Sequence, residues 1–449
     1  MAIDRRELLG LSAAGAGSTL LPSPSRATPM PLGSLGLDVT HFGVNPGSSD
    51  DQSQALQRAI DASAAARVPL WLPAGTYVAS DLVLPSGAQL YGIRGATRLL
   101  LGYGASIAAS AQADQVTLQG LIFDGNGQPL PEGRGLISLR QTRGMRIFDC
   151  TVQQSGGIGI RFETSEGEIA HNTIIGAAKG AIHALDGRGI VIANNTVLNC
   201  AHTGIQVRRS RAGDDGTQVL ANRIENVVVQ DGDTGQNGNG ISVLLAANVI
   251  VADNRIRNCS GSAVRGESNW NLHVRGNTAS ALGGIGIHVV HGSEGAVISG
   301  NSVEGAATGI SIANFNEGGR LSVCQGNLVR NLSRGKIEAG FGIGIAVEAD
   351  AAVTGNVVEG APLAGILVGW GQFQRDVTVT GNVVRAAPIG IGVSVAPGAG
   401  SALVAHNLIA GASTGAVMGM DRDKAITGDL ARDLESRFAQ LTVSGNRVR

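Results

Sequence analysis

One short pattern recurs through most of this chain and limits what the chain can fold into. Val274-Arg275-Gly276-Asn277 is followed by a short apolar alternation, a small residue and then Gly-Ile-x-Ile, and the same order returns along the sequence. The asparagine recurs at steps of 23 to 39 residues, at Asn172, Asn195, Asn222, Asn254, Asn277, Asn301, Asn327, Asn356, Asn382, Asn407 and Asn446. In a chain with 67 Gly and 13 Pro, this recurrence indicates a stacked repeat rather than a globular core.

The hydrophobic periodicity predicts the kind of repeat. Val-x-Gly-Asn-x-Val and Gly-Ile-x-Ile alternate with period two, and no repeat carries the spacing of an amphipathic helix. Short strands with glycine at the corners form one rung of a parallel β-helix, where equivalent residues of adjacent rungs lie about 4.8 Å apart. An asparagine at a fixed corner then bonds to the rungs on both sides and forms a ladder. A simple turn preference of asparagine would not explain eleven asparagines in register.

The N-terminus has the composition of an export signal. Arg5-Arg6 precede an apolar run at residues 8–21 that is too short and too rich in Gly and Ala to span a bilayer. Ser25-Arg26-Ala27 supplies small residues for a cleavage site, and the segment resembles a twin-arginine signal. We expect residues 1–27 to be removed and the folded chain to pass through the twin-arginine export machinery to the periplasm or the medium. No later stretch is predicted to cross a membrane.

Residues 28–104 are predicted to close the first rung of the coil. Ser49-Asp50-Asp51-Gln52 matches a capping box, and an apolar stripe predicts a helix ending near Ala66, with the members Ala55, Leu56, Ala59, Ile60 and Ala64. The first rung of a β-helix exposes an open apolar end, which this helix would cover. Residues 105–449 are predicted to hold the rungs, about twelve of them between Gln115 and Met420, with the polar segment 421–440 inserted as a loop or cover.

The N-terminal segment also resembles a known family. Phe42-Gly43-Val44, Asp50-Asp51, Leu84-Pro85-Ser86-Gly87, Tyr91-Gly92 and residues 55–60 and 72–77 are similar to the N-terminal module of pectate-lyase-like proteins. The resemblance, which with the rungs covers nearly all of the mature chain, implies an all-β fold: a right-handed single-stranded parallel β-helix with an N-terminal capping helix. The combination also resembles an uncharacterised group of twin-arginine-exported repeat proteins. The family includes lyases, hydrolases, epimerases, sugar transferases and non-enzymes, so the resemblance implies no single reaction.

Composition and motifs narrow the function. The chain carries 34 Lys and Arg against 35 Asp and Glu, so it is not a basic nucleic-acid binder. No zinc spacing, phosphate loop or nucleophile elbow occurs, and we expect no metal or nucleotide cofactor.

Cys200 and Cys259 fall at inward positions two rungs apart, about 9.6 Å, which is beyond disulfide reach. We expect them, with Cys150 and Cys324, to be buried thiols.

The Gly-Ile-x-Ile strands predict one functional face. If the isoleucine points inward, the next residue and the third after it point outward and form two rows along the coil. Charged and polar residues gather on these rows up to His288, and small or apolar residues follow. We assign His183, Gln206 and Arg265 to the first row and Arg161, Arg208, Glu267 and His288 to the second. A loop that holds Asp231 and Asp233 interrupts one rung of the same stretch. We expect the face to bind an extended glycan in a groove bordered by that loop.

Glu267 and His288 would then occupy equivalent positions of adjacent rungs, within hydrogen-bonding reach, as an acid–base pair. His183 is the third catalytic candidate, and Arg265 or Arg208 would hold a uronate carboxylate. In a lyase or epimerase, the base takes the proton beside that carboxylate while the arginine stabilises the developing charge. The remaining substrate-binding candidates are Arg161, Gln206, Asp231 and Asp233. An exposed ion pair of little energetic value is the alternative interpretation of the Glu267–His288 pair.

A hydrolase would need two carboxylates, about 5 to 5.5 Å apart for retention or about 6.5 to 9.5 Å for inversion. Glu163 and Asp186 lie at similar places of adjacent rungs and form the alternative carboxylate pair. The sequence therefore predicts an exported protein that acts on a polysaccharide as a lyase, epimerase or hydrolase. The alternative is a non-catalytic envelope or surface protein that binds a glycan or serves as a structural repeat. The small outward residues of the later rungs would also allow a homo-oligomer.

Overall fold

The computed structural model describes residues 36–229, 236–313, 320–334, 341–432 and 438–449. In this part of the chain the backbone winds into a parallel β-helix with three long sheets and one α-helix near the start. The expected signal segment, residues 1–27, lies outside the described residues, as do Asp231 and Asp233. No helix in the described ranges is long and apolar enough to cross a membrane.

Each full rung contributes one strand to each sheet, in the order A, B, C. Sheet A has 16 strands: Leu37–Asp38, Leu70–Leu72, Gln89–Gly92, Thr117–Gln119, Met145–Phe148, Gly167–Ala170, Val191–Ala193, Gln218–Leu220, Ile250–Ala252, His273–Arg275, Val297–Ser299, Ser322–Gln325, Ala349–Thr354, Arg375–Thr380, Ala402–Ala405 and Leu441–Ser444. Sheet B has 15: Gly75–Ala79, Thr97–Leu101, Ile122–Asp124, Thr151–Gln153, Thr173–Ile175, Thr196–Cys200, Arg223–Val227, Arg255–Cys259, Thr278–Leu282, Ser302–Glu304, Leu328–Arg330, Val357–Glu359, Val383–Arg385, Leu408–Ala410 and Arg447–Val448.

Sheet C also has 15 strands: Leu82–Val83, Ala108–Ala111, Gly135–Arg140, Ile158–Glu163, Gly180–Leu185, Thr203–Asp214, Asn239–Ala247, Val264–Glu267, Ile285–Val290, Thr308–Ala313, Ile343–Val347, Ala364–Val368, Ile389–Ser394, Gly415–Asp421 and Lys424–Asp429. The strand pairs are parallel except the last pair of sheet C, which is antiparallel. Twelve sheet C strands run from Gly135–Arg140 to Gly415–Asp421, which confirms the predicted number of rungs.

The core is a set of aliphatic stacks that run along the coil axis. In sheet A, Ile147, Ile169, Ile192 and Val219 follow one another in register in successive rungs, and each is fully buried. Branched side chains stacked at one strand spacing pack closely, and period-two alternation turns the intervening residues to the outer face. The core is therefore as long as the coil, and each rung completes the burial of its neighbours.

The predicted asparagine ladder is confirmed at the corner between sheets A and B. Asn277 Nδ2 donates to the carbonyl oxygen of Val251 in the preceding rung at 2.9 Å and to Asn301 Oδ1 in the following rung at 3.0 Å. Asn277 Oδ1 accepts from the backbone N–H and the Nδ2 of Asn254 at 3.0 and 2.9 Å. The same bonds continue from Asn172 to Asn446, and all but the last asparagine are buried. The ladder satisfies polar groups that the coil takes out of water.

An α-helix at Ser53–Ala66 covers the open end of the first rungs, as predicted, and ends at Arg67 in the left-handed conformation. Its buried face is formed by Leu56, Ala59, Ile60 and Ser63. The predicted capping box is wrong, because Gln52 makes no capping bond and its side chain instead accepts the N–H of Asn45 at 2.7 Å. Asp51 accepts the N–H of Ser53 at 2.7 Å in its place.

Part of the segment predicted as a loop or cover forms a strand. Lys424–Asp429 pairs antiparallel with Gly415–Asp421. The Asp429 carboxylate accepts the backbone N–H groups of Ala416 and Val417 at 3.1 and 3.0 Å. The pairing covers the last parallel strand of sheet C, which would otherwise present unpaired backbone groups to other chains.

The four cysteines, Cys150, Cys200, Cys259 and Cys324, are buried free thiols, as predicted. Cys200 and Cys259 both pair in register with Val227, which places them two rungs apart. Burial raises the pKa of Cys200 to about 11 and that of Cys259 to about 12. Thiols with such raised pKa values are protonated at neutral pH and are poor nucleophiles.

We expect Asn277→Ala to lower the free energy of unfolding by about 2 to 4 kcal/mol, because it leaves buried donors and acceptors of two rungs without partners. Chemical denaturation followed by circular dichroism measures the change. Asn226→Ala is the matched control, since Asn226 donates to Asn199 across rungs at an exposed corner, and it should cost much less. Equal losses in the two variants would contradict a stabilising role of burial in the ladder.

Candidate functional site

The pairing register of sheet C defines two outward rows of side chains. The first row is Ser138, Arg161, His183, Gln206, Ser242, Arg265, His288 and Ser311. The second row is Arg140, Glu163, Leu185, Arg208, Leu244, Glu267, Val290 and Ala313. Charged groups therefore follow both rows over the middle of the coil.

Two of the sequence assignments to these rows are wrong. Arg161 pairs with His183, and His288 pairs with Arg265, so both Arg161 and His288 belong to the first row. The sequence doubles the Gly-Ile dipeptide at residues 157–160 and 284–287, and the second isoleucine of each is the one that stacks in register. A shift by two keeps every apolar residue on the inner face, so the hydrophobic pattern does not reveal it.

A groove crosses the outer face of sheet C in the early rungs. One part, about 520 Å³, is lined by Glu132, Arg134, Arg140, Arg161 and Glu163 among others. A second part, about 280 Å³, is lined by Arg161, His183, Gln206, Arg208 and Ser210 together with two aliphatic residues. Arg161 belongs to both parts, and the two parts hold four arginines and two glutamates. This balance favours an anionic ligand.

Two irregular segments border the groove. Residues 125–134 connect sheets B and C with ten residues, where the next rung uses the four residues 154–157. Residues 209–212 form a bulge in the strand Thr203–Asp214, where the register shifts between Arg208 and Gly213. Bulges and long connections on a regular scaffold are common places for binding residues.

The first charged cluster of the face comprises Arg161, Glu163 and His183. Arg161 contacts the Glu163 carboxylate at 3.2 Å and also donates to the carbonyl oxygen of Gly133 in the long connection. Burial, with the nearby charges of Arg161 and His202, lowers the pKa of His183 to about 4. His183 is therefore neutral at neutral pH. Its Nε2 is buried without a hydrogen-bond partner among the described residues, in space that a Cβ on Gly180 would occupy.

The second charged cluster comprises Arg265, Glu267 and His288. Arg265 contacts the Glu267 carboxylate at 3.1 Å and the Nδ1 of His288 at 3.2 Å. Because a guanidinium can only donate, Nδ1 accepts and the neutral ring carries its proton on Nε2. Burial is the main cause that lowers the pKa of His288 to about 3, and the nearby charges of Arg265 and His291 add to it.

The expected direct pairing of Glu267 with His288 is wrong. Glu267 pairs in register with Val290, and the Arg265 side chain contacts both Glu267 and His288. The two residues are diagonal neighbours that share an arginine. A base held directly by a carboxylate is therefore not the arrangement in this cluster.

The other candidates divide into groove residues and turn residues. Gln206 and Arg208 line the groove. The alternative carboxylate pair is not in register, because Glu163 pairs with Leu185, and Asp186 lies in the following turn. The Asp186 carboxylate accepts the N–H and the hydroxyl of Ser210, which indicates a structural use.

Three charged groove residues were missed by the sequence reasoning. Glu132 and Arg134 lie in the long connection at residues 125–134, which a row-based interpretation does not include. The length of that connection was the available signal. Arg140 pairs in register with Glu163, so an extension of the second row by one rung would have found it.

Comparisons with known proteins agree with the parallel β-helix fold. The model of the right handed beta helix region matches residues 103–235 and 212–384. A second model, described as rhamnogalacturonase A/epimerase, pectate lyase-like, matches residues 37–100 and confirms the expected N-terminal resemblance. No curated protein sequence matches the chain at a significant level.

Solved structures show the same fold at low sequence identity. An N-terminal fragment of bacteriophage phi29 gene product 12 is 14% identical with a TM-score of 0.61, over 93% of this chain and 72% of that one. The catalytic unit of a GH87 alpha-1,3-glucanase from Streptomyces thermodiastaticus strain HF3-3 is 14% identical with a TM-score of 0.52, over 94% and 70%. At these identities the likeness shows the fold alone.

We expect the free energy of unfolding to decrease as the pH falls from about 6.5 towards 4. Below pH 6.5 the unfolded chain takes up protons at His183 and His288 that the folded chain excludes, because the folded pKa values are about 4 and about 3. Melting temperatures between neutral pH and pH 4 measure the loss. The double variant His183→Gln/His288→Gln should lose less over this interval, and an identical loss in both proteins would contradict the assignment.

Proposed function

We propose that this chain, which belongs to the right-handed β-helix family, acts on an extended acidic polysaccharide bound along sheet C. The observation that carries the proposal is the groove that runs on both sides of Arg161, with four arginines and two glutamates in its lining. Arginine forks bind carboxylates by paired hydrogen bonds. A uronate-containing glycan is the extended ligand that matches an open, cation-rich groove along a coil.

The reaction that fits the first cluster is removal of the proton next to a uronate carboxylate. Arg161 binds the carboxylate and stabilises the negative charge that develops when the proton leaves. His183, neutral at neutral pH, accepts the proton. In an elimination, the glycosidic oxygen departs and takes up a proton, which leaves an unsaturated sugar. In an epimerisation, a proton returns to the same carbon from the opposite face.

Ligand binding would also raise the basicity of His183. Arg161 is the second largest cause of its lowered pKa, and a bound carboxylate would offset that charge. The pKa of His183 then moves upward from about 4 when the substrate is present, towards the range in which an imidazole is an effective base.

A second function, glycan binding without turnover, is favoured by one observation. The Nε2 of His183 is buried against Gly180 rather than open to the groove, so proton abstraction by Nε2 requires the imidazole to rotate. Without that rotation, the arginines would bind the acidic chain and the sugar would stay intact. The GH87 glucanase shares the fold at a low identity and is compatible with either function.

Export remains part of the proposal. Arg5-Arg6, the short apolar run at residues 8–21 and Ser25-Arg26-Ala27 support a twin-arginine signal. A polysaccharide substrate outside the cytoplasm would be reached by a chain that is folded before export.

We expect His183→Gln to lower kcat/KM by about 10²- to 10⁴-fold on the active uronan, because the base is lost. Polygalacturonate, alginate and glucuronan are the test substrates, with unsaturated products followed by absorbance and epimers by proton NMR. His171→Gln is the matched control, since His171 lies exposed in a turn after sheet A. Turnover equal to wild type in His183→Gln would contradict the role of His183, and binding with every glycan intact would support the binding function.

We expect the pKa of His183 to increase on addition of oligogalacturonate, because the bound carboxylate offsets the charge of Arg161. An NMR titration of the histidine ring signals with and without the oligosaccharide measures the change. His273, in sheet A, is an internal reference that should not respond. An unchanged His183 titration at saturating oligosaccharide would contradict carboxylate binding at Arg161.

A further inference from the structure

We infer that Arg265, Glu267 and His288 form a second carboxylate-binding site, which engages the same glycan chain that binds at Arg161. The inference rests on the proposed function and deepens it, because it adds a requirement for chain length. A glycan that reaches both clusters binds more tightly than one that reaches a single cluster.

The two clusters have the same arrangement of arginine, glutamate and histidine. Each has an Arg-x-Glu sequence on a sheet C strand, with the guanidinium 3.2 Å from Glu163 in the first cluster and 3.1 Å from Glu267 in the second. Each places a histidine in register with the arginine on the following rung. Burial and that arginine lower the pKa of both histidines.

An ion pair elsewhere in the coil shows what is specific to these clusters. Arg223 and Glu225 have the same spacing on sheet B and contact at 3.0 Å. The next residue in register with Arg223 is Arg255, not a histidine. The Arg223 side chain is 55% exposed, whereas that of Arg265 is 13% exposed. A guanidinium with less water around it interacts more strongly with an incoming carboxylate.

The two outward rows connect the clusters in register. Gln206 and Ser242 lie between Arg161 and Arg265 in the first outward row, and Leu185, Arg208 and Leu244 lie between Glu163 and Glu267 in the second. The partly buried leucines offer apolar contact to sugar rings, and Gln206 and Arg208 offer hydrogen bonds to hydroxyls and carboxylates. The described residues of both outward rows keep their register from one cluster to the other, so one extended chain can follow them.

The separation of the clusters sets the length requirement. Arg161 and Arg265 are four rungs apart, which corresponds to about 19 Å at one strand spacing per rung. Once one carboxylate is bound, the second binding event is intramolecular and occurs at a high effective concentration. Linked binding of this kind can raise the affinity by about 10²- to 10⁴-fold over a ligand that reaches one site, provided that both sites are engaged at once.

The test measures binding of galacturonate trimer and dodecamer by isothermal titration calorimetry. In the wild-type protein the dodecamer should bind at least about 10-fold more tightly than the trimer. Arg265→Gln should remove most of this advantage and leave trimer binding at the Arg161 cluster. The double variant Arg265→Gln/Glu267→Gln should behave in the same way, and it leaves no partly buried carboxylate without its partner. Arg223→Gln is the matched control and should retain the full advantage.

The outcomes separate the inference from the proposed function. If Arg161→Gln weakens both oligosaccharides while both Arg265 variants keep the wild-type length advantage, the second site is overturned and the proposed function stands. If neither oligosaccharide binds to the wild-type protein, both fail. Circular dichroism and melting temperature of each variant establish that a lost advantage does not come from an unfolded coil.

Discussion

The structure depends on parallel, in-register stacking of successive rungs. Each backbone strand finds its partners only in the rungs before and after it, and the same holds for the asparagine side chains at the corner between sheets A and B. Because Asn277 bonds to both neighbours at once, a displacement of one rung breaks contacts in two others. Stability is thus distributed as interactions between nearest neighbours, and it fixes which residues from distant parts of the sequence meet.

The same stacking builds the outer face of sheet C. Residues more than twenty positions apart, such as Arg265 and His288, become neighbours at one strand spacing. Glutamates two residues away on the same strand then contact the arginines. The aliphatic stacks beneath hold the backbone of these rows in place, so charged groups can be partly desolvated without an irregular scaffold. In the described part of the chain, the large departures from regularity at the groove are the long connection at residues 125–134 and the bulge at residues 209–212.

The sequence was sufficient for features that repeat and insufficient for those that do not. Eleven asparagines, the inward Cys200 and Cys259, and the number of rungs follow from period and alternation. The rows were shifted by two at Arg161 and His288, because a doubled Gly-Ile preserves the inner face in either register. Glu132 was missed because it lies in a connection outside the two outward rows, and Asp186 was included because position in a rung does not reveal that its carboxylate binds Ser210.

The rungs divide the length of the coil into equal steps of one strand spacing. From Asn172 to Asn446 each rung carries one asparagine at the corner between sheets A and B, and the bonds of that asparagine are the same whichever rungs lie beside it. Removing or duplicating a whole rung between two surface features would therefore change the distance between those features by one strand spacing, while each feature kept its own local contacts. The distance between two surface features is thus set by the number of rungs between them, and that number can change without altering the residues of either feature.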